Sequence, residues 1–149
     1  MITHLFLDFD GVLTDNAVYV NEWGEESVRC SRSDGIGIEK VKSKGIVPVI
    51  VSSECNEVVA RRAQKLRIDC IHGVSDKVIA MKQFCDDLSK AAFIGNDVND
   101  YDAMESVSIP IAVADANPEV KKLAKYVTKA RGGHGAVREA CGWLMAKLL

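Results

Sequence analysis

Three carboxylates stand close together at the end of an apolar run: HLFLDFDGVLTD, residues 4 to 15, carries Asp8, Asp10 and Asp15. A turn made by Asp10 and Gly11, with Asp8 as a cap, accounts for polar residues there but not for a carboxylate that interrupts the strand itself. Residues two apart in an extended chain point to one side, so Asp8 and Asp10 are presented together. Further polar residues follow later apolar runs: Ser52, Ser53 and Glu54, then Lys77, then Asn96, Asp97, Asn99 and Asp100. Taken singly each has an ordinary explanation, with Ser52 a helix N-cap, Lys77 a solvated charge, and Asn99 and Asp100 a cap for the next helix. Together they supply a carboxylate nucleophile, a hydroxyl, an ammonium and a second acidic cluster, a set suited to a phosphoryl group and a divalent cation. Phosphate monoesters hydrolyse extremely slowly in water, so catalysis needs a placed nucleophile and compensation of phosphate charge. Asp8 is placed to attack, Asp10 to protonate the leaving alkoxide and then activate water, and Lys77 with magnesium to offset the negative charge.

The elements that must hold these residues are legible from periodicity. HLFLDF (4 to 9), IVPVIVS (46 to 52), DCIHG (69 to 73), AAFIG (91 to 95), IPIAV (109 to 113) and YVT (126 to 128) read as strands. Between them GIGIEKVKSK, CNEVVARRAQKL, DKVIAMKQFCDDL, DYDAMESV and PEVKKLAK space their apolar residues as amphipathic helices do. Strands alternating with helices predict an α/β domain: a Rossmann-like, mostly parallel sheet with helices on both faces. Its ligands belong at the carboxyl ends of the strands, where the polar residues fall. AVYVNEWGEESVRCS (17 to 31) breaks the rhythm and predicts a β-hairpin turning near Gly24. A final helix over roughly 135 to 148 packs through Trp143, Leu144 and Leu148.

Composition bounds the rest. At 149 residues, with 48% hydrophobic residues, the chain predicts one domain spanning 1 to 149. A net charge of −2 argues against a nucleic-acid or anionic-membrane surface and leaves small-molecule chemistry. Five cysteines without a C-x-x-C pair predict reduced core thiols, and the start of the chain shows no signal peptide, so a cytoplasmic location is expected.

The motifs D-x-D-G-x-x-T-D at Asp8 to Asp15, Ser52, Lys77, and G-N-D-x-N-D at Gly95 to Asp100 together resemble the four motifs of the haloacid dehalogenase superfamily. With a hairpin in place of a cap domain, and RGGHGAVRE at 131 to 139, the chain resembles its capless branch, which dephosphorylates ulosonic acid phosphates. The resemblance implies an aspartyl-phosphate mechanism with Asp8 and Asp10 catalytic. It implies phosphate held by Gly11, Ser52, Ser53 and Lys77. It further implies Mg2+ bound by Asp8, the Asp10 carbonyl, Asn96, Asp97 and Asp100, and a homotetramer. Active relatives commonly carry aspartate where this chain has Asn96, so magnesium is expected to bind more weakly.

For substrate contacts the resemblance points to Asp34, Glu54, Arg62 and Lys65. Octulosonate phosphatases usually read T-G-R where this chain has Ser52, Ser53 and Glu54. A glutamate followed by an arginine eight positions later and a lysine eleven later resembles the nine-carbon branch. Arg62 falls inside the apolar stripe of its helix, where an arginine wants an anionic partner. Glu54 and Lys65 are about 16 Å apart along a helix, too far for one small sugar to bridge, so Arg62 and Lys65 are expected to serve a neighbouring subunit's site. The leading expectation is therefore a phosphatase of 2-keto-3-deoxynononate or N-acylneuraminate 9-phosphate. The alternatives are a 3-deoxy-D-manno-octulosonate 8-phosphate phosphatase, a noncatalytic oligomerisation module, or, more remotely, a phosphoacceptor receiver domain.

Overall fold

The computed structural model describes residues 1–148. In chain order the elements are β1 (His4–Leu7), β2 (Tyr19–Val20), β3 (Glu26–Ser27), α1 (Arg32–Lys42), β4 (Val47–Val51), α2 (Val58–Leu66) and β5 (Asp69–Ile71). There follow α3 (Lys77–Lys82), β6 (Ala91–Gly95), α4 (Tyr101–Ser106), β7 (Ile109–Ala112), α5 (Pro118–Leu123), β8 (Tyr126–Val127) and α6 (Ala136–Leu148). Six strands make one wholly parallel sheet in the order β5-β4-β1-β6-β7-β8.

Central strands of such a sheet are covered on both faces, and β1 and β6 are apolar runs with nearly every side chain buried. Phe6, Phe9, Leu5, Leu7 and Phe93 are wholly enclosed. The chain steps from β1 outward through β4 and β5, then crosses back to β6 on the other side of β1. The strand order thus reverses between β1 and β6, and a crevice opens there at the carboxyl ends. The Asp8 N–H donating to the Ile94 carbonyl at 3.1 Å ties those two ends together.

The hairpin forms as expected, with β2 and β3 antiparallel, but it is short, and residues 16 to 27 are all exposed. Three helix boundaries differ from the periodicity by three residues or more. The first helix begins at Arg32 rather than Gly35, because its first three residues, Arg32, Ser33 and Asp34, are polar and give no hydrophobic signal although Asp34 is buried. The second begins at Val58 rather than Cys55, because the Asn56 N–H donates to Glu54 Oε1 and Asn56 Oδ1 accepts from the Val58 N–H, a local turn that competes with helix. The third stops at Lys82 instead of Leu88. Asp87 draws the chain into a separate 3-10 turn over Leu88–Lys90 by accepting from the Ser89 N–H and hydroxyl.

All five cysteines are free, and Cys85 and Cys141 lie in the core; burial pushes the Cys141 thiol up to about 12, with Asp34 adding to the effect. Cys55 is exposed rather than a core thiol. On α6 Leu144 is buried and Trp143 stacks on Tyr126 with ring centroids 4.6 Å apart, whereas Leu148 is 40% exposed. Among the described residues no helix is long and apolar enough to cross a membrane.

Candidate active site

Asp8 follows the last residue of β1 and is buried at the crevice. Its Oδ1 accepts the Phe9 N–H at 2.8 Å and the Lys77 ammonium at 2.9 Å. Lys77, the first residue of α3, also reaches Asp100 Oδ1 at 2.6 Å, and all three groups are nearly sealed from solvent. Burial and the neighbouring Asp100 charge raise Asp8 to about 7, against the pull of Lys77 and the Phe9 N–H. Burial works against the charge on Lys77, but Asp8 and Asp100 outweigh it and hold the ammonium above its ordinary pKa. Asp100 is itself fixed: its Oδ2 accepts the N–H groups of Asn96 at 2.9 Å and Asp97 at 3.3 Å in a capping box.

Asn96 ends beside Asp8 at the foot of β6. Its terminal amide group lies 3.0 Å from Asp8 Oδ2, 3.1 Å from the Asp10 carbonyl oxygen and 3.2 Å from Asp100 Oδ2. With the NH2 turned inward it donates to all three. With the carbonyl turned inward, the spacing to Asp8 and Asp10 matches that of adjacent oxygens around a small octahedral divalent cation, about 3.0 Å for bonds of about 2.1 Å. No three side chains of His, Cys, Asp or Glu among the described residues are spaced to bind a metal by themselves. A cation here would be held by one carboxylate, one backbone carbonyl and one amide. Gly11 makes the arrangement possible, since its φ is +80° and a Cβ would land inside the Asn96 amide.

The other expected residues divide into two groups. Ser52 is buried at the end of β4, its hydroxyl accepting the Glu54 N–H at 3.1 Å; Ser53 next to it is exposed. Asp10 and Glu54 line an opening of about 220 Å³ with Asn16, Glu26, Asn56 and Val58. Burial, then the charge of Glu54, raises the Asp10 pKa; Lys77 opposes and Glu26 adds to the rise. Glu26, on the hairpin, escaped the sequence reading although the paired acids of GEE at the turn could have drawn attention. The Gly11 N–H, expected to hold phosphate, donates instead to Thr14 Oγ1 at 3.1 Å, because the loop closes on its own threonine. Asp97, expected near the metal, uses its Oδ1 to accept the Val98 N–H.

Asp34, Arg62 and Lys65 are not brought to this opening within one chain. Asp34 has no exposed surface; its Oδ1 accepts the Arg138 N–H at 3.0 Å in the first turn of α6, and burial pushes its pKa up to about 6 against that bond and Arg62. Half-buried Arg62 donates to the Ser31 carbonyl at 3.4 Å, and Lys65 borders a separate hollow with Arg32, Glu39 and Lys42. Larger hollows of about 540 Å³ open at Lys42 to Asp69 and beside Met1, away from Asp8 and Lys77.

Residues 49–139 match the model of the haloacid dehalogenase-like hydrolases. The chain belongs to that family. Within it, this hydrolase is similar to 3-deoxy-D-manno-octulosonate 8-phosphate phosphatase KdsC of Escherichia coli K12, 38% identical over 95% of this chain and 78% of the relative. The structure of the Yersinia pestis 3-deoxy-D-manno-octulosonate 8-phosphate phosphatase superposes with a TM-score of 0.93 at 34% identity, over 97% of this chain and 81% of that one. The octulosonate phosphatase of Moraxella catarrhalis, solved with magnesium, phosphate and KDO, gives a TM-score of 0.91 at 31% identity, over 97% and 86%. This hydrolase is thus a member of the KdsC branch, a small chain with a hairpin after its first strand and without a cap.

Proposed function

We propose that the protein is a magnesium-dependent phosphatase that hydrolyses a ulosonic acid phosphate, 3-deoxy-D-manno-octulosonate 8-phosphate, through an aspartyl phosphate on Asp8. Its place among the KdsC proteins makes it a phosphoric monoester hydrolase. The observation that carries the reading is Lys77 bridging Asp8 and Asp100 at the β1–β6 crevice. The relatives reported above are octulosonate phosphatases, which puts the eight-carbon substrate ahead of the nine-carbon one that the Glu54, Arg62, Lys65 spacing suggests.

In the first step an Asp8 carboxylate oxygen bonds to phosphorus as the bond from phosphorus to the sugar oxygen breaks, and Asp10 gives its proton to the departing alkoxide. The raised pKa of Asp10 suits it to carry that proton. In the second step the Asp10 carboxylate takes a proton from water, whose oxygen attacks phosphorus and releases inorganic phosphate and free Asp8. Lys77 stays charged and offsets the phosphoryl oxygens. Asp8, the Asp10 carbonyl and Asn96 would hold magnesium, which supplies charge compensation for the phosphoryl group. A nine-carbon ulosonic acid 9-phosphate is the second reading, favoured by Glu54 at the opening where T-G-R is usual in octulosonate phosphatases.

Turnover with magnesium across both sugar phosphates decides between them. A kcat/KM at least about tenfold higher for the eight-carbon ester, worth about 1.4 kcal/mol of transition-state binding, is the expected result. The reverse preference would establish the nine-carbon reading, and absence of turnover on any ester would leave a noncatalytic module.

The exposed Val18, Tyr19, Val20 and Trp23 of the hairpin fit a closed homo-oligomer, by resemblance a tetramer, that brings Lys65 of one subunit to the substrate carboxylate in another. Lys65→Glu is then expected to raise KM about tenfold for a ulosonic acid phosphate and leave it unchanged for an ester lacking a carboxylate. Mixing Lys65→Glu with Asp8→Asn chains should restore active sites. Hybrids that recover nothing, together with a monomer in light scattering, would remove the shared site.

A further inference from the structure

The RGGHGAVRE segment joins β8 to α6 and reaches across to the catalytic loop. Glu139, in the first turns of α6, gathers three donors: its Oε1 accepts from the Tyr126 hydroxyl and the Lys129 N–H, both at 2.7 Å, and its Oε2 accepts from the Ala130 N–H at 2.9 Å. Tyr126 is held in turn by its stack on Trp143. Two residues beyond this anchor, the Gly132 N–H donates to Asp115 Oδ1 at 3.0 Å and the Gly133 N–H to the Val12 carbonyl at 3.2 Å. A Cβ at Gly132 would strike the Gly11 carbonyl, and one at Gly133 the Asp15 backbone. The glycine pair therefore lies against the loop that follows Asp10 as closely as backbone allows.

We propose that Glu139 is a positioning residue for the reaction: it fixes residues 129 and 130 so that Gly132 and Gly133 brace the Asp10–Gly11 loop and keep Asp10 aligned for both proton transfers. This rests on the phosphatase reading above. Only a carboxylate, with acceptors on both oxygens, satisfies two backbone N–H groups and a phenol at once. The hydrogen bonds to it outweigh its partial burial and hold its pKa below the ordinary value. In Glu139→Gln an amide NH2 would face the Ala130 N–H, donor against donor, and release the anchor on that side.

A displaced Asp10 has a signature of its own. Nitrophenolate leaves p-nitrophenyl phosphate as a stable anion without needing a proton, so the first step proceeds, whereas hydrolysis of the aspartyl phosphate still needs Asp10 as base. With magnesium, Glu139→Gln is expected to release a burst approaching one nitrophenolate per site. Turnover should then run at least about tenfold slower than wild type, with phosphorylated protein recovered on acid quench. Tyr126→Phe, which keeps the stack but loses one hydrogen bond, should show the same pattern more weakly, and it decides the matter if the glutamine variant does not fold. Turnover within about twofold of wild type, or loss of the burst together with turnover in a folded variant, would overturn the proposal. A wild-type protein inactive on every phosphate ester would instead strike down the phosphatase reading.

Discussion

Asp8→Asn is expected to reduce turnover by at least about four orders of magnitude while the protein keeps its fold. The amide is nearly isosteric with the carboxylate but is far too weak a nucleophile to attack phosphorus. The fold should tolerate it because the carboxylate sits unfavourably as it is: burial and Asp100 raise Asp8 to about 7, so the neutral side chain relieves a repulsion as it gives up an attraction. Lys77 keeps its 2.6 Å contact to Asp100 and is not left as an unpaired buried charge. Circular dichroism and a melting curve within a few degrees of wild type would establish the fold, and phosphate release would report the chemistry. More than about one per cent residual turnover would rule out an aspartyl phosphate on Asp8.

Asn96→Asp should separate the two duties of that side chain. Without a cation, the Asn96 NH2 can donate to Asp8 Oδ2, the Asp10 carbonyl and Asp100 Oδ2, so the oxygens are satisfied internally. Aspartate would add a third buried carboxylate beside one lysine, either ionised against its neighbours or holding a proton taken up at a cost. The melting temperature in a chelator should then fall, on the order of 2–3 kcal/mol of stability being lost, while the rise on adding magnesium grows. With one more charge on the ligand set, half-saturating magnesium should drop roughly tenfold. If neither the chelator melting temperature nor the magnesium midpoint moves, Asn96 does not face the cation.

The sequence showed the site most clearly where backbone periodicity alone decides geometry. A parallel sheet aligns its strand ends, so the polar residues after HLFL, VPVIV and AAFIG fall at one edge: Asp8 and Asn96 meet there, and Ser52 follows the neighbouring strand with its hydroxyl on the Glu54 N–H. Glu26 and Glu139 were not legible in that way. One depends on how far a two-residue strand leans over the opening, the other on which backbone N–H groups a distant turn leaves free, and neither follows from spacing. Asp34, named on the resemblance alone, lies where spacing gives no sign that α6 packs over it and takes its carboxylate for the Arg138 N–H. Arg62 sat in the apolar stripe as expected; its hydrogen bond goes to the Ser31 carbonyl, while its charge acts on the buried Asp34 carboxylate.

The hairpin is attached to the domain by little: a Thr14–Cys30 bridge, the Asn56 amide donating to Glu26 at 3.2 Å, and Arg29 donating to the Gly133 carbonyl at 2.6 Å. Because residues 16 to 27 bury no side chain, substitutions there open no cavity and strain no rotamer in the core. Such a segment can change without disturbing the packing of the sheet. It can also be transplanted: exchanging residues 16 to 27 with those of a relative that prefers another sugar acid would test whether selectivity travels with the graft while the aspartates stay where they are. Recognition and reactivity would then have separate evolutionary histories within one small domain.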